Sequence, residues 1–245
     1  MNQADHIQRV LDNLIWIILA LTALAFGTLA DNFFTVRNFI NILVHASVLG
    51  IMVIGQTFTL LSGNFDLSAE STLALTATIA AWLMLPQSLR GLGVEWSPWI
   101  VVPLMLLIGG GIGLVNGLLI TKVKMNNFIV TLAMLIILRG VVYIWTGGNT
   151  YVGLPNSFAF LGGGSIGPLP VSVVAVIVAF VLAHIVVTYR VFGRELYAVG
   201  GNREAAFTAG IDVDRTIILA YVVSGTLAAV SGWMLAGRLQ SVIPK

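Results

Sequence analysis

Cysteine is absent from this 245-residue chain, and charge is scarce: 9% of the residues are Asp, Glu, Lys or Arg. The missing thiols exclude disulfides, thiolate catalysis and zinc–thiolate sites. Soluble domains carry about 25% charged residues, so the charge here is too sparse to cover a water-facing surface. Histidine is equally thin. His6, His45 and His184 lie far apart, without the spacing of a metal site, and no metal or other cofactor is expected. The net charge is only +2, and Lys and Arg are spread between oily stretches rather than gathered in a patch, which argues against a nucleic-acid partner. No G-x-x-x-x-G-K-S/T run occurs, so the chain lacks the phosphate loop with which an ATPase would hold its nucleotide.

What the chain has in abundance is apolar surface: 58% hydrophobic residues and a mean hydropathy of +0.99. Runs of about 20 apolar residues recur, each long enough to cross the hydrocarbon core of a bilayer. The pattern predicts an all-α, polytopic transmembrane bundle forming one membrane domain over 1–245. Seven helices are expected, near 14–30, 39–62, 67–85, 99–121, 128–146, 169–189 and 216–236, because unpaired backbone in lipid is too costly. The first run could be a leader, since "TLA" at 28–30 loosely resembles a cleavage site. However, Asp5 and Asp12 offset Arg9, and the segment that follows is itself membrane-embedded, so Leu14–Ala30 reads as a retained first span.

Loop charges set an orientation. With the N-terminus inside, Arg9, Lys122, Lys124, Arg190, Arg194, Arg203 and Arg215 face the cytoplasm, whereas Arg37, Arg90, Arg238 and Lys245 lie outside. The loop at 147–168 has no charge, as suits an outer loop. Trp96 and Trp99 open the fourth span, where aromatic anchors belong. That span carries Gly109, Gly113 and Gly117 on one face, and the seventh carries Ser224, Ala228 and Gly232. Such spacing lets helix backbones approach closely.

The stretch 199–211, "VGGNREAAFTAGI", interrupts the oily pattern. Gly200 and Gly201 release the chain from the preceding turn, and Asn202 can cap a new helix by accepting a backbone N–H bond. Glu204 then sits in the first turn, favourable to the helix dipole, and Ala205 and Ala206 are strong helix formers. Gly210 stops the helix, and Asp212 and Asp214 prepare the next span. A short cytoplasmic helix with a small surface is expected, either a plain amphipathic loop helix or a docking element.

Here the residues resemble a known family. "EAAFTAGI" is similar to the Glu-Ala-Ala loop of ABC importer permeases, and "FGRELYAVGGNREAAFTAGIDVDR" (192–215) resembles the monosaccharide-type members for ribose, xylose, arabinose and galactose. "SGNFDLSAES" (62–71) resembles the family's Gly-Gly-Ile-Asp-Leu-Ser-Val-Gly-Ser, "NNFIVTLAMLIILRGVVYIWTGG" (126–148) its fifth-span signature, and "GLPNSFAFLGGG" (153–164) its outer loop. The resemblance implies a permease subunit in the bacterial inner membrane, with 192–215 as the cytoplasmic coupling loop. Gly201, Asn202, Glu204, Ala205, Ala206 and Gly210 would meet the ATPase subunit. An extracytoplasmic binding protein, a second permease subunit (the same or different) and a small sugar are the other implied partners. Two departures accompany it. Asn64, Phe65 and Glu70 stand where the family has Gly, Ile and Gly, so the local break has its own shape. The family also continues for several spans past the position of Pro244, so the chain is expected to be a fragment, split product or truncated form.

Asp66, Glu70 and Arg139 are the ionisable residues in or beside the spans, and with Ser68 they are the candidates for a pathway or polar interior. Charged groups in a membrane face a cavity or a partner. Arg139 lies roughly 10 Å from the outer end of its helix at 1.5 Å per residue. It can snorkel outward, pair with Asp66 or Glu70 within the packing, or contact sugar. "SGNFDLS" is either a plain turn or a helix break dipping into the membrane, where freed backbone groups line the pathway. His45, Gln56, Asn116 and His184 read as interhelical hydrogen-bonding residues rather than substrate ligands. Two rivals to the importer remain: an ion-coupled transporter using these charges, and a non-transporting membrane scaffold. No nucleophile, base and orienting group converge as a catalytic site would require.

Overall fold

The computed structural model describes residues 13–30 and 32–244. Asp5, His6, Arg9, Asp12 and Lys245, on which parts of the leader and orientation arguments rest, lie outside the described residues. The described chain is helical: α1 Leu14–Leu29, α2 Val36–Leu61, α3 Ala69–Met84, α4 Pro98–Thr121, α5 Asn127–Thr146, α6 Asn156–Gly163, α7 Val171–Tyr189, α8 Val191–Gly201, α9 Arg203–Thr208 and α10 Val213–Leu239. Four two-residue strands complete it: β1 Tyr151–Val152, β2 Ser165–Ile166, β3 Leu169–Pro170 and β4 Ser241–Val242. Both pairs are antiparallel, β1 with β4 and β2 with β3.

Five helices are long and apolar enough to cross a membrane: α2, α4, α5, α7 and α10. The other two expected spans, α1 and α3, have 16 residues each. At 1.5 Å per residue that is about 24 Å, short of a core of about 30 Å.

The chain divides into two units, Met1–Leu43 and Val44–Lys245. In the first, Phe26 stacks on Phe33 at 5.9 Å between centroids, and the Asn38 side chain donates to the Phe33 carbonyl at 2.9 Å, which holds the turn leading into α2.

The second unit is organised around α10. Its small residues recur at almost every turn, and each meets a different neighbour. A Cβ added at Gly113 of α4 would strike the Tyr221 carbonyl, and one at Gly225 the Gly109 carbonyl. One at Gly232 would press on the Leu73 carbonyl of α3, and one at Gly237 on α6 at Ala159. The expected glycine face of α4 is therefore a true close seam. Its partner face on α10 is Ile218, Tyr221 and Gly225; Ser224 and Gly232 turn to other neighbours. α7 has the opposite character: Val171 and Ser172 are its only buried residues among those described, so its long apolar flank faces lipid or another chain.

Contacts also sort the loops of this unit into two ends. Lys122 and Lys124, just past α4, pair with Asp214 at 2.8 and 3.4 Å, so the loop 122–126 and the 190–214 connection share one end. At the opposite end Met84, Leu85, Tyr151, Leu154, Phe158, Ala236 and Val242 form one cluster.

Candidate functional site

Two features meet at the Lys122 end: a helical connection at 190–212 and a non-helical segment at 62–68. The connection holds two helices where one was expected. Gly200 and Gly201 are helical, as the end of α8, and the chain bends at Asn202. Asn202 has extended backbone and its side chain accepts from the backbone N–H groups of Glu204 and Ala205, both at 3.0 Å, capping α9. Glu204 occupies the first turn, where the helix dipole favours a carboxylate. Gly210 ends the element at φ +83°, a conformation that side chains bearing Cβ resist. Asp212 then caps α10 by accepting from the Arg215 N–H at 3.0 Å.

One side of α9 is anchored. Ala206 is buried in a cluster with Ile120, Val130, Val199, Ile217 and Tyr221. Glu204, Ala205 and Phe207 are exposed. Glu204 and Phe207, with Arg203, border a groove of about 900 Å³ that also takes in Lys124, Ile211 and Asp214. The hydrogen bond to Asp214 raises the Lys122 ammonium above its ordinary pKa.

In the segment 62–68 Ser62, Asn64, Asp66 and Ser68 are buried, and side chains from two helices bond to its backbone. Gln56 of α2 donates to the Asp66 carbonyl at 2.5 Å and accepts from the Asp66 N–H at 3.3 Å. Tyr221 of α10 donates its hydroxyl to the Phe65 carbonyl at 2.9 Å. The Asp66 carboxylate accepts from the Ser68 N–H at 3.0 Å, the Ser68 hydroxyl at 2.6 Å and the Ser224 hydroxyl at 2.9 Å. Ser68 in turn accepts from the Asn116 side-chain amide at 2.8 Å. Among the described residues, Asp66 makes no ion pair within 4.0 Å. It is a buried carboxylate held by hydroxyls and one backbone amide.

These partners are not at helix ends. Gln56 lies five residues before Leu61, Asn116 five before Thr121, and Ser224 eleven past Val213, which puts the segment about 8–16 Å inside those ends. A break sunk between helices describes 62–68 better than a surface turn, and it accounts for the short α3. That helix starts inside the bundle, beside Asn116 and Ser224.

Arg139 pairs with Glu70, Nη2 to Oε1 at 2.8 Å, and not with Asp66. The pair was open between two carboxylates in the sequence, and a packed interior was one expectation. Instead both side chains are half-exposed on this chain, 45% and 65%. Glu70 borders a groove of about 620 Å³ with His45, Met52, Leu73, Leu235 and Ile243. Gln56 and Asn116 hydrogen-bond to other elements as read from the sequence. His184 instead faces Thr188, 3.4 Å away on its own helix. Among the described residues no group of three or more His, Asp or Glu is placed to hold a metal ion.

Residues 38–245 match the family described as branched-chain amino acid transport system / permease component. The chain belongs to this permease family. The ribose import permease protein of Escherichia coli K12 is 35% identical over 224 residues, 89% of this chain and 67% of that protein. The L-arabinose transporter permease protein of Azospirillum brasilense is 34% identical over 232 residues, 95% and 66% respectively. The D-allose transport permease protein of Escherichia coli K12 is 33% identical over 230 residues, 93% and 68%. The chain thus spans about two thirds of the length of these relatives. No solved structure matches it significantly. As a permease component it is a transport subunit in a membrane and not an enzyme in its own right.

Proposed function

We propose that the chain is the membrane-spanning subunit of a bacterial ATP-driven importer for a small sugar or sugar-like polyol. ATPase subunits dock at the 192–215 connection, on the surface made by Gly201, Asn202, Glu204, Ala205 and Gly210; Ala206, expected on that surface, is buried and anchors the helix from beneath. A binding protein delivers substrate at the opposite end, and a second permease, identical or different, completes the pathway. The N-terminus and 190–215 face the cytoplasm, and α1 and α3 bring the crossings to seven. Asp66 and Ser68 shape the interior beside the pathway, with Glu70 and Arg139 on the face that meets it.

The observation that carries this reading is the capped α9 helix. It stands exposed on one side, at the cation-rich end, while its other side is packed into the membrane unit. That is what a soluble motor needs in order to push on a membrane subunit. The sugar class rests on relatives named for ribose, L-arabinose and D-allose.

The test is to capture the chain from its native membrane with the proteins bound to it. ATP hydrolysis by that complex is then measured with D-ribose, L-arabinose and D-allose, and with leucine, isoleucine and valine. Stimulation by a sugar is expected. Stimulation by the amino acids alone would overturn the sugar class, and capture without any ATPase would overturn the ATP-driven reading.

A further inference from the structure

We propose that Arg203 is the residue through which movement of the docking helix reaches the membrane interior, by way of Asn64. The proposal rests on the transport reading and names its transmission contact. Arg203 is the first residue of α9, immediately after the Asn202 cap. Arg203 lines the edge of the groove, and its guanidinium reaches from there to the break. It donates from Nη2 to the Asn64 side-chain oxygen at 2.8 Å, 139 positions away in the chain.

Asn64 is 3% exposed and each end of its amide is engaged. The oxygen also accepts from the Asn127 amide of α5 at 3.3 Å. The nitrogen donates to the Ser62 carbonyl and hydroxyl, both at 3.0 Å. One side chain therefore ties together the docking helix, the start of α5 and the turn that ends α2. Two residues on, the Asp66 carboxylate begins the chain of bonds through Ser68 to Asn116 and through Ser224 to α10.

A backbone contact runs parallel to this bond. Gly200 lies so close to the end of α2 that an added Cβ would strike the Leu61 carbonyl. The end of α8 therefore sits directly on the turn that Asn64 occupies. When α9 is displaced, the break is pulled by Arg203 and pressed by Gly200, and α3 begins where the break ends. Elsewhere on α9 the tie to the membrane unit is apolar packing: Ala206 lies in the cluster with Tyr221, while the side chains of Glu204, Ala205 and Phe207 are exposed.

A hydrogen bond to a charged donor is about twice as strong as a neutral one, so removing this one should be measurable. The experiment uses the full chain in the captured complex, reconstituted in liposomes, with whichever of D-ribose, L-arabinose and D-allose it imports fastest. The readout is sugar imported per ATP hydrolysed, together with the amount of ATPase retained. Arg203→Met should keep the ATPase and continue hydrolysis while the ratio falls about tenfold. Arg203→Lys, which keeps the charge without the planar fork, should recover part of that loss. Asn64→Ala should lower the ratio to a similar degree, and the double variant should be no worse than either single one.

Arg203 is exposed, so its variants are expected to fold even where Asn64→Ala does not, and the Met and Lys pair then decides the matter. An unchanged ratio in Arg203→Met overturns the relay while leaving the transport reading in place. Loss of the ATPase itself in Arg203→Met also overturns it, because Arg203 would then belong to the docking surface.

Discussion

The Arg139 guanidinium and the Glu70 carboxylate meet at 2.8 Å across 69 positions of sequence, joining the middle of α5 to the first turn of α3. Asn127, twelve residues earlier on α5, is bonded to Asn64 of the break. Twelve residues of helix span about 18 Å. The α3 helix therefore begins well within the depth of α5, with its first charge already paired.

An ion pair half-exposed in water contributes about 0–1 kcal/mol, but a single charge left alone within a bilayer costs about 2.5–3.5 kcal/mol. Arg139→Leu is therefore expected to destabilise the protein by about 2–3 kcal/mol in bilayer-like medium. Arg139→Leu with Glu70→Gln should recover most of this, whereas Arg139→Leu with Asp66→Asn should recover none. Unfolding in lipid–detergent micelles, arranged as two double-mutant cycles, measures both couplings. Additive losses with Glu70→Gln would show that the pair does not hold.

Asp66 supplies acceptors to three donors, so Asp66→Ala leaves the Ser68 N–H and two hydroxyls without their partner. A loss of about 3 kcal/mol is expected. Asp66→Asn should cost about half as much. Its oxygen still accepts from Ser68, and its amide can donate to Ser224. Equal losses for the two variants in the same unfolding assay would contradict the geometry.

The α4–α10 seam gives a matched pair of substitutions. A Cβ at Gly113 would strike the Tyr221 carbonyl, whereas one at Gly111 has nothing within 4 Å. Gly113→Ala should destabilise by about 1–3 kcal/mol through the forced separation of the backbones. Gly111→Ala should be neutral or stabilising by up to about 1 kcal/mol, through helix propensity alone. Thermal unfolding of the two variants side by side decides this.

The proposed orientation can be read directly because the chain has no native cysteine. Asn202→Cys should be protected from an impermeant thiol reagent in intact cells, and Asn156→Cys should be labelled. Labelling at 202 from outside would reverse the orientation.

Much of this was legible in the sequence where local chemistry decides the structure. The apolar runs located the helices, the Gly109, Gly113 and Gly117 face foretold the seam, and Asn202, Gly210 and Asp212 acted at helix ends as their side chains dictate. Other features were hidden. The Gly200–Gly201 pair suggested a release of the chain, yet both are helical; close packing on the end of α2 requires the missing side chain at Gly200, whereas an added Cβ at Gly201 would meet nothing within 4 Å. The small helix α6 and the β1–β4 pairing lay in a stretch read only as a loop; their partners, Trp233 and Val242, come from far along the chain. Asn64 was read as a turn former and as a departure from Gly in the resembling family. That departure supplies the acceptor which Arg203 and Asn127 share, a long-range fact that no local pattern encodes.

The central claim is that the 199–211 stretch receives the force of an ATPase, and Glu204→Lys tests it most directly. The substitution puts a cation in the first turn of a helix whose exposed face carries the proposed docking surface. Sugar uptake and ATP hydrolysis would be measured together in the reconstituted complex, for the wild-type chain and for Glu204→Lys. The account predicts that uptake collapses, with the ATPase either released or hydrolysing without import. Normal uptake with the ATPase fully retained would contradict it.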